Sequence, residues 1–85
     1  MISSDELSEL YSRCENALKI IKEKMETESI NLNERNFKTL EKMSEINMTY
    51  LVFLSEIIHC EQKRYIVDDE YVSIIKEFCE TVENL

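Results

Sequence analysis

The chain has 85 residues, no glycine, no proline and a formal net charge of −8, and these properties exclude several kinds of protein. Glycine-rich phosphate loops, primed hairpin turns and left-handed glycine helix ends rely on residues that it lacks, so an all-α protein is expected. Direct binding to nucleic acid or to a membrane is not expected, because both require a basic protein surface. A basic protein is the expected partner instead.

The cysteines and the N-terminal residues bear on the cellular compartment. Cys14, Cys60 and Cys79 are an odd number without C-x-x-C spacing, and the first residues do not have the pattern of a signal peptide. We therefore predict reduced, mostly buried thiols in a cytoplasmic protein. No apolar run approaches the ~20 residues needed to cross a bilayer.

Helix 1 is predicted over about residues 4–29. Ser3 is its expected N-cap, Glu6 completes a capping box, and Ile2 is placed to pack on Leu7 as a hydrophobic staple. Its apolar residues recur at three- and four-residue steps and form one buried stripe: Leu7, Leu10, Tyr11, Cys14, Ala17, Leu18, Ile21 and Met25.

Helix 2 is predicted over about residues 34–62, with Asn33 as N-cap and Leu32 and Phe37 as a staple. It carries a main apolar face and a second strip beside it, which indicates contact with more than one neighbour. The main face is Leu40, Met43, Asn47, Tyr50, Leu51, Leu54 and Ile58, and the second strip is Ile46, Phe53, Ile57 and Cys60.

Helix 3 is predicted over about residues 69–83, with Asp68 as N-cap and Val67 and Val72 as a staple. Residues 65–67 are interpreted as a connection, since an isolated strand has nothing to pair with. The narrow apolar stripe of helix 3 is Tyr71, Val72, Ile75, Phe78, Cys79 and Val82.

Helix lengths and short connections predict the architecture. At about 1.5 Å per residue, helices 1 and 2 are each roughly 40 Å long and helix 3 is about 22 Å long. Short connections make neighbours antiparallel, so residues 1–85 should form a single domain, an antiparallel three-helix bundle. The distal half of the hairpin, about Lys19 to Glu45, should be only two helices thick.

The residue patterns that could carry chemistry are weak. Glu56 and His59 have the Glu-x-x-His spacing of di-iron bundles, but such a site needs two copies and further glutamates. The chain has one histidine, so only a homodimer would complete it. His59 and Cys60 are helix neighbours pointing about 100° apart, which does not suit a Cys–His pair. We expect no catalytic residue, no cofactor, no metal and no enzyme activity.

Asn47 falls in the middle of the main apolar face of helix 2. A buried Asn at such a position often fixes helix register or oligomeric state, at a cost in stability. A boundary position with a water or backbone partner is the alternative.

Two groups of residues are candidates for binding a partner. Met48 and Val52 lie four residues apart on the outer side of helix 2, a pairing common where a helix docks in a groove. The second group is acidic and lies at the starts of helices 1 and 3 and along the outside of helix 3: Asp5, Glu6, Glu9, Asp68, Asp69, Glu70, Glu77 and Glu80. Because helix dipoles also favour carboxylates at helix starts, a purely solvated face is the alternative. Lys63 and Arg64 should neutralise part of this acidic end.

These features favour an inhibitor or neutraliser of a basic or nucleic-acid-binding protein, of the immunity, antitoxin or phage anti-host type. Its binding should weaken with salt. The alternative is an adaptor or chaperone, of the secretion-chaperone type, that forms a homodimer through helix 2 and holds an amphipathic helix of its client. Salt should matter little for that mostly apolar contact.

Overall fold

The computed structural model describes residues 2–60 and 68–85. Within these ranges the chain forms three helices and no strand: α1 (Ser4–Ile30), α2 (Glu34–Ile58) and α3 (Asp69–Glu83). The predicted all-α fold is therefore confirmed, with two long helices and a shorter third. Over the described residues, none of the helices is both long and apolar enough to cross a membrane.

Helix α1 begins at the predicted cap. The Ser3 hydroxyl accepts a hydrogen bond from the backbone N–H of Glu6 at 3.1 Å, which satisfies one of the free donors of the first turn. The Glu6 carboxylate accepts a bond from the Ser3 hydroxyl at 3.3 Å, whereas a complete capping box would place it on the Ser3 backbone N–H. The N-cap is therefore formed, but the Glu6 carboxylate accepts from the Ser3 hydroxyl instead of the Ser3 backbone N–H.

Helix α1 ends in a left-handed residue although the chain has no glycine. Leu32 has φ 56°, its N–H donates to the Ser29 carbonyl at 3.1 Å, and the Asn33 N–H donates to the Glu28 carbonyl at 2.9 Å. These are the two bonds of a Schellman motif. Leu32 adopts the conformation usually taken by glycine, so a left-handed helix end forms here without that residue. Its side chain is 89% exposed, so the predicted staple with Phe37 is not buried.

Helix α2 is capped as predicted at its start and ends earlier than predicted. The Asn33 side-chain oxygen accepts from the Asn36 N–H at 3.2 Å. At the other end, the helix stops at Ile58 with His59 as C-cap, so the predicted end at residue 62 is wrong. The His59 ring nitrogen Nδ1 lies 2.8 Å from the Ser55 carbonyl oxygen, which satisfies a carbonyl of the last turn. The residue pattern did not reveal this helix end, because the apolar strip continues past it to the half-buried Cys60.

Helix α3 is capped as predicted by Asp68, whose carboxylate accepts from the Glu70 N–H at 2.9 Å. The predicted staple partner Val67, the basic residues Lys63 and Arg64, and the connection at residues 65–67 lie outside the described residues.

The core has two parts, which fix the direction of each helix. The upper part contains Leu7, Leu10, Cys14, Leu51, Leu54, Val72, Ile75 and Cys79. The lower part contains Ala17, Ile21, Leu40 and Val82. Both α1 and α3 contribute their earlier residues to the upper part and their later residues to the lower part, whereas α2 does the reverse. Helix α3 therefore runs parallel to α1 and antiparallel to α2.

The distal end of the hairpin is two helices thick. No residue from 22 to 39 is buried, and the last buried residue of α3, Val82, packs with Ile21 and Leu40. This two-helix tip is shorter than the predicted range of about Lys19 to Glu45, because α3 reaches one turn further along the hairpin.

A bidentate ion pair joins α1 to the end of α3. Arg13 Nη2 donates to Glu83 Oε1 at 2.7 Å, and Arg13 Nε donates to Glu83 Oε2 at 3.2 Å. The hydrogen bond from Arg13 lowers the pKa of the Glu83 carboxyl. Both side chains are more than a third exposed, at 36% and 38%, so solvent screens much of this attraction.

Replacing Leu32 with Gly should raise the free energy of unfolding by about 1 kcal/mol, because glycine has no Cβ to clash at positive φ. The matched control is Asn31→Gly, one residue earlier at φ −81°. There the same change only adds freedom to the unfolded chain and should lower stability. Urea unfolding measures both variants. A loss of stability in Leu32→Gly would show that the hairpin does not close through a left-handed residue 32.

Replacing Glu83 with Gln should lower the free energy of unfolding at neutral pH by less than about 1 kcal/mol, because the pair with Arg13 is partly exposed. The pKa of Glu83 is held below its ordinary value of 4.5. The contribution of the pair is therefore present above that value and is lost as the pH falls through the lowered pKa. Urea unfolding across a pH series tests this against Glu77→Gln, an exposed glutamate of the same helix. Equal pH dependence of the two variants would contradict a stabilising contribution from the Arg13–Glu83 pair.

Candidate functional site

A groove of about 480 Å³ runs between α1 and α2. We call it the outer groove. The side chains that line it are Tyr11, Glu15 and Leu18 from α1, and Met48, Leu51, Val52, Ser55 and Glu56 from α2.

The outer groove lies on the side of the hairpin away from α3. Residues Tyr50 and Phe53 of α2 face α3, where Tyr50 packs edge-on against Phe78 with ring centroids 5.3 Å apart. Met48 and Val52 are rotated from these residues by about a third to a half of a turn around the axis of α2. They therefore lie on the side of α2 that faces away from α3. A helical hairpin has two such grooves, and α3 fills one of them.

The floor of the outer groove is apolar and its walls are exposed. Leu51 is 9% exposed, whereas Met48 and Val52 are 48% and 54% exposed. Tyr11 and Leu18 were assigned to the buried stripe of helix 1, but both are only half-buried. They pack on the upper core with one side and line the groove with the other.

Among the described residues, the charged side chains that line the outer groove are two exposed glutamates, Glu15 and Glu56. Over residues 2–60 and 68–85, this lining combines an apolar floor with carboxylates and includes no cation. It is therefore complementary to a surface with apolar anchors and basic neighbours.

The predicted acidic residues fall into two places. The parallel arrangement of α1 and α3, with Leu7 and Val72 in one cluster, puts both helix starts at the same end of the bundle. The six acidic residues there are all exposed: Asp5, Glu6, Glu9, Asp68, Asp69 and Glu70. Glu77 and Glu80 are exposed along α3, which does not line the outer groove. Their predicted role in partner binding stays a prediction.

Aromatic contacts between α2 and α3 were not predicted from the sequence. Tyr71 of α3 packs edge-on against Phe53 at 4.6 Å and against Tyr50 at 6.0 Å between ring centroids. Burial raises the pKa of Tyr50. The sequence does place these aromatic residues on the predicted apolar strips. Which rings contact each other, however, depends on the rotation of each helix about its axis. The contacts dock α3 and do not form an open site.

Asn47 is completely buried, and neither its side-chain nitrogen nor its side-chain oxygen has a hydrogen-bond partner. Leaving an amide unpaired in a core costs about 1–3 kcal/mol. Because Asn47 is enclosed within one chain, pairing it with the Asn47 of a second copy would require the helices to separate. This placement therefore argues against a register role across a dimer of the bundle as it stands.

The residues considered for metal or cysteine chemistry are not assembled into a site. Among the described residues, no group of three or more His, Cys, Asp or Glu side chains could hold a metal ion. The His59 ring bonds to the end of its own helix, and Glu56 lines the outer groove. The structure therefore does not bring Glu56 and His59 together with further ligands within one chain.

No family model, curated protein or solved structure matches this chain.

Replacing Asn47 with Leu should raise the free energy of unfolding by about 1–3 kcal/mol, because an unpaired buried amide is replaced by an apolar side chain of similar size. The control is Asn36→Leu, at an exposed position of the same helix, which should change stability by less than about 0.5 kcal/mol. Urea unfolding compares the two variants, and sedimentation reports the oligomeric state. A large loss of stability, or a change of oligomer in Asn47→Leu alone, would show that the amide has a partner in solution.

Proposed function

We propose that this protein binds another protein, and that its ligand is an amphipathic helix with basic residues beside its apolar face, docked in the outer groove. The observation that carries the proposal is the lining of that groove: an apolar floor at Leu18 and Leu51, with Glu15 and Glu56 as the only charged side chains that the described part of the chain contributes. Such a protein would act as an inhibitor or neutraliser by covering the basic surface to which the bound helix belongs.

The dimensions of the outer groove suit a helix. Its position, between two antiparallel helices, is where a further helix packs in a four-helix bundle. Tyr11 and Leu18 are seven residues apart on α1, which corresponds to a length of about 10 Å. That length accommodates anchor residues at positions i, i+4 and i+7 of a docked helix. The exposed Met48 side chain is flexible and can adapt to the shape of such anchors.

Charge supports a basic ligand. The chain carries a net charge of −8, and the six exposed acidic residues at the starts of α1 and α3 lie at the same end of the bundle as Glu56. A negative surface of this kind speeds the approach of a cationic partner, and salt weakens the effect. A bound helix that extends past Glu56 would meet further carboxylates at this end.

A homodimer formed through the outer groove is a second candidate, favoured by the exposed apolar pair Met48 and Val52. It would support the adaptor or chaperone function. The charges oppose it, because two copies would bring the Glu15 and Glu56 side chains of each chain together, and each chain carries a net charge of −8. Like charges facing each other across an interface cost several kcal/mol, so we place the basic helix first.

The Met48→Ala/Val52→Ala double variant tests the proposed groove. The probe is a synthetic amphipathic peptide of about 20 residues with leucine anchors and flanking lysines. Truncating both exposed anchors should weaken its binding about tenfold or more, as measured by calorimetry. Alanine preserves the helix. The matched control is Ile74→Ala, because Ile74 is similarly exposed, at 46%, on α3, and this variant should bind as the unmodified protein does.

Two further measurements decide between the candidates. A peptide with the same leucines and glutamates in place of the lysines should bind far more weakly, and added salt should weaken the lysine peptide. Equal binding of both peptides, or NMR shifts confined to α3, would contradict the basic-helix proposal. Sedimentation of a dimer that Met48→Ala/Val52→Ala dissociates would support the homodimer instead.

A further inference from the structure

Two cysteine thiols meet in the core between α1 and α3. The Sγ atoms of Cys14 and Cys79 are 3.6 Å apart and belong to residues 65 positions apart in the chain. Both residues are free cysteines and both are completely buried. The two sulfurs lie on the contact that holds the shortest helix to the hairpin.

This separation is short enough for a covalent bond after a small movement. A disulfide bond is about 2.05 Å long, so the two sulfurs need to approach by about 1.5 Å. Rotation of each side chain about its Cα–Cβ bond and a slight shift of α3 can supply such a movement. The small residues Cys14 and Ala17, both fully buried on α1, let α3 lie close enough for this.

The surroundings distinguish the two thiols. The hydrogen bond between them lowers the pKa of Cys79, and the nearby Arg13 guanidinium acts in the same direction. The same hydrogen bond, together with burial, raises the pKa of Cys14. With Cys14 as the donor of this hydrogen bond, Cys79 is the thiolate, and a thiolate is the nucleophile in thiol oxidation.

We propose that Cys14 and Cys79 are a redox modification site at which hydrogen peroxide forms a reversible disulfide that fastens α3 to α1. The Cys79 thiolate attacks one peroxide oxygen, so that an S–O bond forms, the O–O bond breaks and hydroxide leaves as water after taking up a proton. The Cys14 sulfur then attacks the Cys79 sulfur, forming the S–S bond, while the S–O bond breaks and a second water leaves. Two thiols and one peroxide thus give one disulfide and two waters.

Access to the buried thiols requires a local opening of the bundle. Helix α3 is the shortest element, with 15 residues, and it is held partly by the exposed Arg13–Glu83 pair. Short, peripheral elements open at lower free energy than the rest of a fold. The rate of oxidation should therefore rise in urea concentrations well below the unfolding transition. Reduction by a small thiol restores both cysteines.

The disulfide would change the stability of α3 and leave the outer groove open. It would join α1 to α3 and close a long loop, which restricts the unfolded chain. The described residues that line the outer groove belong to α1 and α2. The modification would therefore fasten the third helix without covering the proposed binding site.

The test uses the Cys60→Ser protein, which keeps Cys14 and Cys79 as its only cysteines, treated with one equivalent of hydrogen peroxide. We expect both free thiols to disappear, the intact mass to fall by two hydrogen atoms, and peptide mapping to find Cys14 joined to Cys79 within one chain. The Tm should rise by about 10 °C or more and return to its starting value on reduction.

The matched control is Cys14→Ala/Cys60→Ser, which leaves Cys79 without its neighbour. Peroxide should add oxygen to this variant and leave its Tm without a comparable rise. The proposal is overturned if the Cys60→Ser protein gains oxygen atoms, if it forms disulfides between chains, or if the internal disulfide forms but the Tm does not rise. A full rise of Tm in the control would also overturn it.

Discussion

The apolar stripe of α1 is the constraint on which the rest of the structure depends, because this one helix must pack against both of the others. Leu10, Cys14, Ala17 and Ile21 are each no more than 2% exposed, and residues of α2 and α3 meet them in the same two core clusters. Small side chains at Cys14 and Ala17 allow close approach. The parallel course of α3 follows from this packing, since its stripe meets that of α1 in the same order.

Placing α3 on one side of the hairpin leaves the other side open. The half-buried Tyr11 and Leu18 are shared between the upper core and the outer groove, so a single stripe on α1 supports both packing and the proposed binding.

The core is also unevenly stabilised. Asn47 carries an unpaired amide between its two parts, and the hairpin tip beyond Ile21 has no buried residue until Leu40. The best-packed region is therefore the end of the bundle that carries the acidic residues.

The proposed binding groove and the proposed cysteine site use adjacent faces of α1. Glu15 contributes charge to the groove, whereas the adjacent Cys14 contributes a thiol to the contact with α3. Neighbouring residues on a helix point in different directions, so one turn of α1 serves both sites. A ligand in the groove would contact α1 and α2, and oxidation would act on α1 and α3. The two proposals can thus be true or false independently.

The sequence by itself determined the helices and most of their caps, because these depend on interactions between residues two to four positions apart. Ser3, Asn33 and Asp68 cap the helices as their side chains predict, and Met48 and Val52 could be identified as outward-facing because they fit no buried stripe. Only the tertiary structure decided the features that join distant residues. The Arg13–Glu83 pair, the Cys14–Cys79 contact and the glutamates beside the groove all belong to this group. Each depends on how far one helix is rotated and shifted against another, and residue periodicity specifies which face is buried but not which residue it meets.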